Sequence, residues 1–220
     1  MTEPSGGSTD KPRRPVAVPA IALVAITVVG ITALLGGLNE APEEPETLGP
    51  GAVLDQGRYT TKFVESRVTV ERADSDFAED KRFLELVFDV TNTSDETSGV
   101  GNPPAKIELA YQAADFAGSL VKISPAFPED AGPFSFVRVK GGESRQLHPG
   151  VTRQVIVRYT LKEGQQPPDK ITLDVGAFEY SEDPVAAVPH WGLESKEAGK
   201  GFLPEIKARV VLPVKKGDTT

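Results

Sequence analysis

The chain has 220 residues, no cysteine, 24 Lys and Arg against 32 Asp and Glu for a net charge of −8, and 21 Gly with 19 Pro. The acidic balance argues against nucleic acid as a partner, because neutralising phosphates takes an excess of Lys and Arg; the missing cysteines exclude disulfides, a thiol nucleophile, cysteine-bound zinc and a lipid-modified cysteine. One domain of ordinary size plus extensions fits this length, and the Gly and Pro content favours turns and strands over helical bundles.

Residues 1–15, MTEPSGGSTDKPRRP, are polar, rich in Gly, Ser and Pro, and too short to fold, which predicts a disordered tail. Val16 to Leu38 then runs for 23 residues without a charge. As a helix this run would span about 34 Å, enough for a hydrocarbon core about 30 Å thick, and only Thr27 and Thr32 interrupt its apolar surface. Lys11, Arg13 and Arg14 precede it, while Glu40, Glu43, Glu44 and Glu46 follow with no base before Arg58. That asymmetry predicts a single-pass membrane helix with a cytoplasmic N-terminus and an exported C-terminal part. The alternative is a cleaved signal peptide, which would release a soluble mature chain beginning near Asn39. Residues 39–55, NEAPEEPETLGPGAVLD, combine Pro with like charges and predict an extended spacer reaching roughly 40 Å.

Residues 56–215 show alternation of apolar and polar side chains in runs bounded by Gly, Pro, Asn and Asp, the pattern of strands. Val64, Ser66, Val68 and Val70 share one face of the first run, with Glu65, Arg67, Thr69 and Glu71 on the other. Leu84, Leu86, Phe88 and Val90 alternate with Glu85, Val87 and Asp89 in the second. Further strands are predicted over Lys106–Gln112, Phe134–Lys140, Arg153–Leu161, Ile171–Tyr180 and Ile206–Val214, with Val155, Val157, Tyr159 and Leu161 on one face. Seven or eight such strands without a long helical pattern predict an all-β, immunoglobulin-like antiparallel sandwich; a closed barrel satisfies the same alternation. Residues 216–220 form a short tail predicted to be disordered.

Two turns are specific. Leu147-His148-Pro149-Gly150-Val151-Thr152 sets Pro and Gly at the centre of a type II turn, and Val90-Thr91-Asn92-Thr93-Ser94-Asp95-Glu96 offers polar side chains to a departing backbone. Asn92-Thr93-Ser94 also fits a glycosylation sequon, here read as a turn. On these motifs, V-x-N-x-S-x-E and L-x-P-G-x-T, together with the N-terminal apolar segment, the chain from about Gly57 to Val214 resembles a bacterial family of exported immunoglobulin-like, telokin-like domains of unknown function. The resemblance implies an extracytoplasmic sandwich and carries over no catalytic residue. The Pro-containing stretch Ser181–Pro204 departs from the family's pattern.

No G-x-S-x-G, H-E-x-x-H or glycine-rich phosphate loop occurs, and the two histidines, His148 and His190, fall in a turn and a Pro-rich loop; no enzyme activity and no cofactor are expected. Asp74, Asp76 and Asp80 are the candidates for a divalent cation, although their run lacks the glycine and terminal Glu of an EF-hand loop and fits a solvated hairpin tip better. Tyr180, Trp191 and Phe202, in and beside Ser181–Pro204, are the candidates for binding a partner, since exposed aromatics anchor interfaces; for Trp191, packing onto the sandwich edge is the preferred reading. The expected function is a membrane-tethered, non-enzymatic binding or structural module of a bacterial cell envelope, facing another envelope protein or polymer. Release as a secreted sandwich and a cation-binding sensor are the alternatives.

Overall fold

A computed structural model describes residues 44–73, 79–182, 189–199 and 201–216. The chain divides into two units, Met1–Glu44 and Pro45–Thr220, and the described residues fall almost wholly in the second. Among them no helix is long and apolar enough to cross a membrane; Val16–Leu38 lies outside the described residues, as do residues 217–220.

The strands run in chain order as β1 (Glu46–Leu48), β2 (Val53–Asp55), β3 (Tyr59–Glu71), β4 (Lys81–Asn92), β5 (Ser98–Gly99), β6 (Leu120–Ser124), β7 (Phe134–Val139) and β8 (Gly142–Ser144). They continue as β9 (Gln146–Leu147), β10 (Thr152–Leu161), β11 (Lys170–Val175), β12 (Phe178–Glu182), β13 (Pro189–Leu193), β14 (Ser195–Ala198), β15 (Gly201–Pro204) and β16 (Ala208–Lys215). Three 3₁₀ turns, η1 (Ile107–Gln112), η2 (Phe116–Ser119) and η3 (Glu129–Ala131), lie in the connections on either side of β6.

One layer has the order β3-β4-β10-β7-β8, antiparallel throughout, with β2 on the outer edge of β3. The other runs β6-β11-β16, with β1 parallel to β16. Strand β16 belongs to both: Ala208–Pro213 pair with β11, and Val214 and Lys215 cross to pair in parallel with Ser66 and Arg67. Pro213, which has no N–H to give, sits at the crossing, and the buried Ser66 hydroxyl donates to the carbonyls of Leu212 and Pro213 there, at 3.3 and 3.0 Å. Taken as A-B-E-D (β3-β4-β10-β7) and C-F-G (β6-β11-β16), this is the strand order of a seven-stranded immunoglobulin-type sandwich. Among the described residues β6 and β8 are edges that do not pair with each other, so the barrel alternative falls away.

Alternation explains the core. Leu84, Leu86, Phe88 and Val90 of β4 and Val155, Val157, Tyr159 and Leu161 of β10 meet Ile171, Leu173, Val175, Val210 and Leu212 from the opposite layer in one buried cluster. In β3 the register shifts between Phe63 and Glu65. This bulge changes the parity of the strand, so that Tyr59, Thr61 and Phe63 before it and Ser66 after it are all buried. Val64, expected on the inner face, is the residue the bulge takes out of step.

Three expectations are corrected. Lys106–Gln112 is not a strand: Ile107–Gln112 forms the 3₁₀ turn η1, with Ile107 against the core and Ala110 buried, a three-residue spacing that a 3₁₀ turn places on one side. The single strand expected over Ile171–Tyr180 breaks at Gly176 and Ala177 into β11 and β12. The spacer expected over residues 39–55 loses its last ten residues to the domain, because Glu46–Leu48 align with Ala208–Val210 and Val53–Asp55 align with Thr60–Lys62.

The two turn motifs meet. His148-Pro149-Gly150-Val151 closes as a type II turn, with Gly150 at φ 69° and the Val151 N–H donating to the His148 carbonyl at 3.3 Å. The Asn92 side chain, fully buried, donates to the carbonyls of Glu96 and Leu147 at 2.7 and 3.0 Å and accepts from the Ser94 N–H at 3.0 Å and hydroxyl at 2.7 Å. Its own carbonyl receives the Gly150 N–H at 2.8 Å. Asn92 therefore joins the two loops and is spent structurally, in keeping with its reading as a turn residue rather than a glycan acceptor.

Candidate functional site

The start of β3, the ends of β4 and β11 and the start of β16 lie at one end of the sandwich, as the pairings Tyr59↔Asn92 and Val175↔Ala208 require. Here the chain leaves the immunoglobulin pattern: between β11 and β16 it inserts two hairpins, β12 with β13 and β14 with β15. Buried Gln56 roots the first of them, its side-chain amide donating to the Gly176 carbonyl at 2.8 Å and its side-chain oxygen accepting from the Thr61 hydroxyl at 2.6 Å, while its main-chain carbonyl receives the Phe178 N–H at 2.8 Å. Backbone bonds from Glu194 to Ala177, Glu205 to Glu194 and Lys207 to Val175 stack the second hairpin on the first.

Gly57 has φ 75° and lies so close to the Phe178 carbonyl that a Cβ there would overlap it. Gly57→Ala is expected to cost about 2 kcal/mol, from the left-handed backbone and the displaced hairpin together. Equilibrium urea unfolding would measure it, and an unchanged midpoint would show that the hairpin root is loose.

Within this end an aromatic ladder leads from the core outward. Phe63 meets Phe88 edge-on at 5.9 Å, Phe88 meets Phe116 at 5.7 Å, and Tyr59 meets Phe116 at 5.7 Å and Phe178 at 5.4 Å. Burial pushes the Tyr59 phenol above its ordinary pKa, partly offset by hydrogen bonding to Ser98. Arg58, only 7% exposed, lies between Tyr59 and Trp191, its guanidinium 5.8 and 5.9 Å from the two ring centres, and donates to the Ala114 carbonyl at 2.8 Å. Its Nε has no hydrogen-bond acceptor.

Outside that layer the rings are in solvent. Tyr180, 61% exposed, pairs across the first hairpin with half-buried Trp191 at 5.3 Å, and Phe202, 49% exposed, lies 6.2 Å from Tyr111 of η1, 42% exposed. Leu109 and Leu203 are exposed on the same elements. Five of the nine most exposed large hydrophobic side chains among the described residues thus come from η1, β12 and β15. Trp191 packs against the core as well as against Tyr180, so packing and surface roles coincide in it.

The partner-binding candidates Tyr180, Trp191 and Phe202 are all brought to this end. Leu109 and Tyr111 were missed because η1 was taken for a strand; the Pro103-Pro104 pair before it and the Ile107-Ala110 spacing are the signals that mark it. The cation candidates fare differently. Asp74 and Asp76 lie outside the described residues, and Asp80 accepts the Ala73 N–H at 2.9 Å. Among the described residues no group of three or more His, Cys, Asp or Glu side chains is placed to hold a metal ion. His148 is exposed, its Nδ1 3.0 Å from the Thr97 hydroxyl; His190 lies in β13 opposite Ser181.

A second charged feature lies on the other face of the β3-β4-β10 layer. Glu85, its side chain 1% exposed, takes Arg67 on one carboxylate oxygen at 3.0 and 3.1 Å and Arg158 on the other at 2.8 and 3.1 Å. Arg158 lies 4.6 and 5.0 Å from the ring centres of Phe83 and Phe136. Glu65 binds Arg67 and Lys215, and its carboxyl is held below the ordinary range chiefly by the hydrogen bond from Lys215. This ladder is internally satisfied.

No family model matches the chain, and no curated protein matches it. Among solved structures it is similar to an uncharacterized β-sandwich protein of Clostridium difficile 630, at 8% identity and a TM-score of 0.39 over 80% of this chain and 97% of that one. A likeness that loose carries no argument, and the sandwich architecture stands on the strand order above.

Proposed function

We propose that the chain is a single-pass membrane protein holding a non-enzymatic, immunoglobulin-like binding or structural module outside the cytoplasmic membrane of a bacterial cell, in the manner of the exported telokin-like domains it resembles. The observation that carries this reading is the uncharged run Val16–Leu38, with its basic residues before and acidic residues after, standing immediately ahead of a β-sandwich. The aromatic end is the contact surface of the module, facing another component of the same envelope.

Because the chain contains no cysteine, single introduced thiols report topology without background. In intact cells a membrane-impermeant maleimide is expected to label Glu163→Cys, and to label Ser5→Cys only after lysis. Labelling of Ser5→Cys alone in intact cells would reverse the orientation and sink the reading. A mature N-terminus near Asn39 would replace the tethered form with the secreted one.

A further inference from the structure

Arg58 carries a charge that its own surroundings leave unanswered. The residue is 7% exposed, yet none of the ion pairs among the described residues includes it. Its main chain is fixed on both sides: the Arg58 N–H donates to the Gln56 carbonyl at 3.0 Å, and the Arg58 carbonyl receives the Thr93 N–H at 2.9 Å. The Thr93 hydroxyl donates to the adjoining Gly57 carbonyl at 2.7 Å. Within the guanidinium, Nη1 is spent on the Ala114 carbonyl and Nε has no acceptor. What remains is the edge formed by Nε and Nη2, on which a carboxylate makes two parallel hydrogen bonds. The rings of Tyr59 and Trp191 offset only part of the desolvation of this cation, because a ring quadrupole attracts it less than an anion does.

Two further observations bear on what reaches it. Asp115, an acid close enough to act on the Tyr59 phenol, is engaged by the Gly99 N–H at 3.1 Å. Gly57 and Ala114, beside the guanidinium, are exposed and carry nothing longer than a methyl group, and a Cβ on Gly57 would stand 3.8 Å from the Trp191 ring. The approach therefore runs past small residues and beneath Trp191. That ring belongs to the β12–β13 pair, which joins neither layer, so it turns aside without breaking a ladder of the sandwich.

We infer that Arg58 anchors a binding site for a monoanionic carboxylate bearing an aromatic group, the carboxylate on Nε and Nη2 and the aromatic group along Trp191 and Tyr180. One guanidinium answers one negative charge, and exposed Glu108, Glu179 and Glu197 on η1, β12 and β14 disfavour the second charge of a phosphate. This deepens, and rests on, the reading of the aromatic end as the contact surface of the module; it does not depend on the membrane segment. A free organic acid and the C-terminus of a peptide present the same chemistry.

The test is a titration of the full chain in nonionic detergent, followed by the emission of Trp191, the only tryptophan. The probes are 3-phenylpropionate and its uncharged amide, N-acetyl-Ala-Phe with a free and with an amidated C-terminus, and inorganic phosphate. Both acids are expected to shift the emission saturably at about millimolar concentration or below, roughly tenfold or more tighter than their amides and phosphate. Arg58→Met is expected to abolish the shift, and Arg58→Lys, which keeps the charge without the fork, to weaken it roughly tenfold. The lysine variant carries the comparison if the methionine variant does not fold. Tighter binding of the peptide acid assigns the carboxylate to a chain terminus, and the reverse order assigns it to a free organic acid. If acids and amides bind alike, or Arg58→Met binds the acids as the parent does, the aromatic end remains a contact surface and the carboxylate site is wrong. Tightest binding of phosphate would overturn the ligand class. If no probe shifts the emission, Arg58 is a packing residue and the inference falls, with no bearing on the topology that the thiol labelling above reads separately.

Discussion

Glu85→Ala is expected to lower the stability of the domain by about 4 kcal/mol, the scale of breaking a buried ion pair by removing one partner. Glu85 stands on the central strand of the ladder β3-β4-β10, with Arg67 and Arg158 directly opposite it on either side. Without the carboxylate the two guanidinium groups lose their shared partner and repel across it, Arg67 keeping only Glu65 and Arg158 only Glu71 at 3.7 Å, while Phe83 and Phe136 hold Arg158 in place. The loss is not the net contribution of the cluster. Replacing Arg67, Glu85 and Arg158 together by Leu is expected to recover most of it, to within about 1–2 kcal/mol of the parent, since desolvation of the three charges disappears with them. Urea unfolding of the single and triple variants, followed by the strand circular dichroism signal, measures both. A cost below about 1 kcal/mol for Glu85→Ala would mean that water screens the pair despite its burial.

Asn92→Ala is expected to cost about 2 kcal/mol, because it takes the side-chain donor from the buried Leu147 carbonyl and the acceptor from the Ser94 N–H, while the exposed Glu96 carbonyl keeps the Ser94 hydroxyl. Asn92→Asp separates geometry from hydrogen bonding. It keeps the acceptor for Ser94 but sets a carboxylate against two carbonyls, so it should be no better tolerated than alanine. The pairing of the two turns gives a sharper check: Gly150→Ala, strained by its positive φ, should be less than additive with Asn92→Ala, since either change releases the same joint. Full additivity would show that the two motifs are adjacent without being coupled.

The parts of this fold that could be read in advance are those where local chemistry and tertiary environment agree. Leu84, Leu86, Phe88 and Val90, and Val155, Val157, Tyr159 and Leu161, share the core-facing side of their strands and are all buried there, while the burial of Phe83, Glu85, Val87 and Ile156 on the opposite side is not legible from the alternation. Pro149 and Gly150 specify their turn through φ alone. Where the environment decides, the pattern is silent. Strand β6 is five residues long and opens on two adjacent buried residues, Leu120 and Val121, so it shows no alternation. Strand β1 has three residues whose only distinction is the partner they lie against. The bulge at Phe63 switches parity within a strand, which no fixed period can anticipate.

The same division runs through the candidate site. Tyr180, Trp191 and Phe202 could be chosen because aromatic side chains in a polar stretch are costly to leave in water. Leu109 and Tyr111 join them only through the packing of η1 against the inserted hairpins, a contact between segments some 90 residues apart. The Arg58 position beneath Trp191 belongs to this second class: nothing local to Gly57-Arg58-Tyr59 marks the arginine as nearly buried.

The parallel pairing of β1 with β16 also sets how the domain answers a mechanical pull. A load applied at Glu46 along the axis of β1 strains its three residue pairs with β16 together in shear. An antiparallel hairpin pulled at its open end would peel one pair at a time. Beyond β1, the chain turns through Gly49–Gly51 into β2 and β3, whose own parallel contact with β16 at Ser66 and Arg67 carries the load next. Pulled along β1, the sandwich meets tension with two shear joints in series.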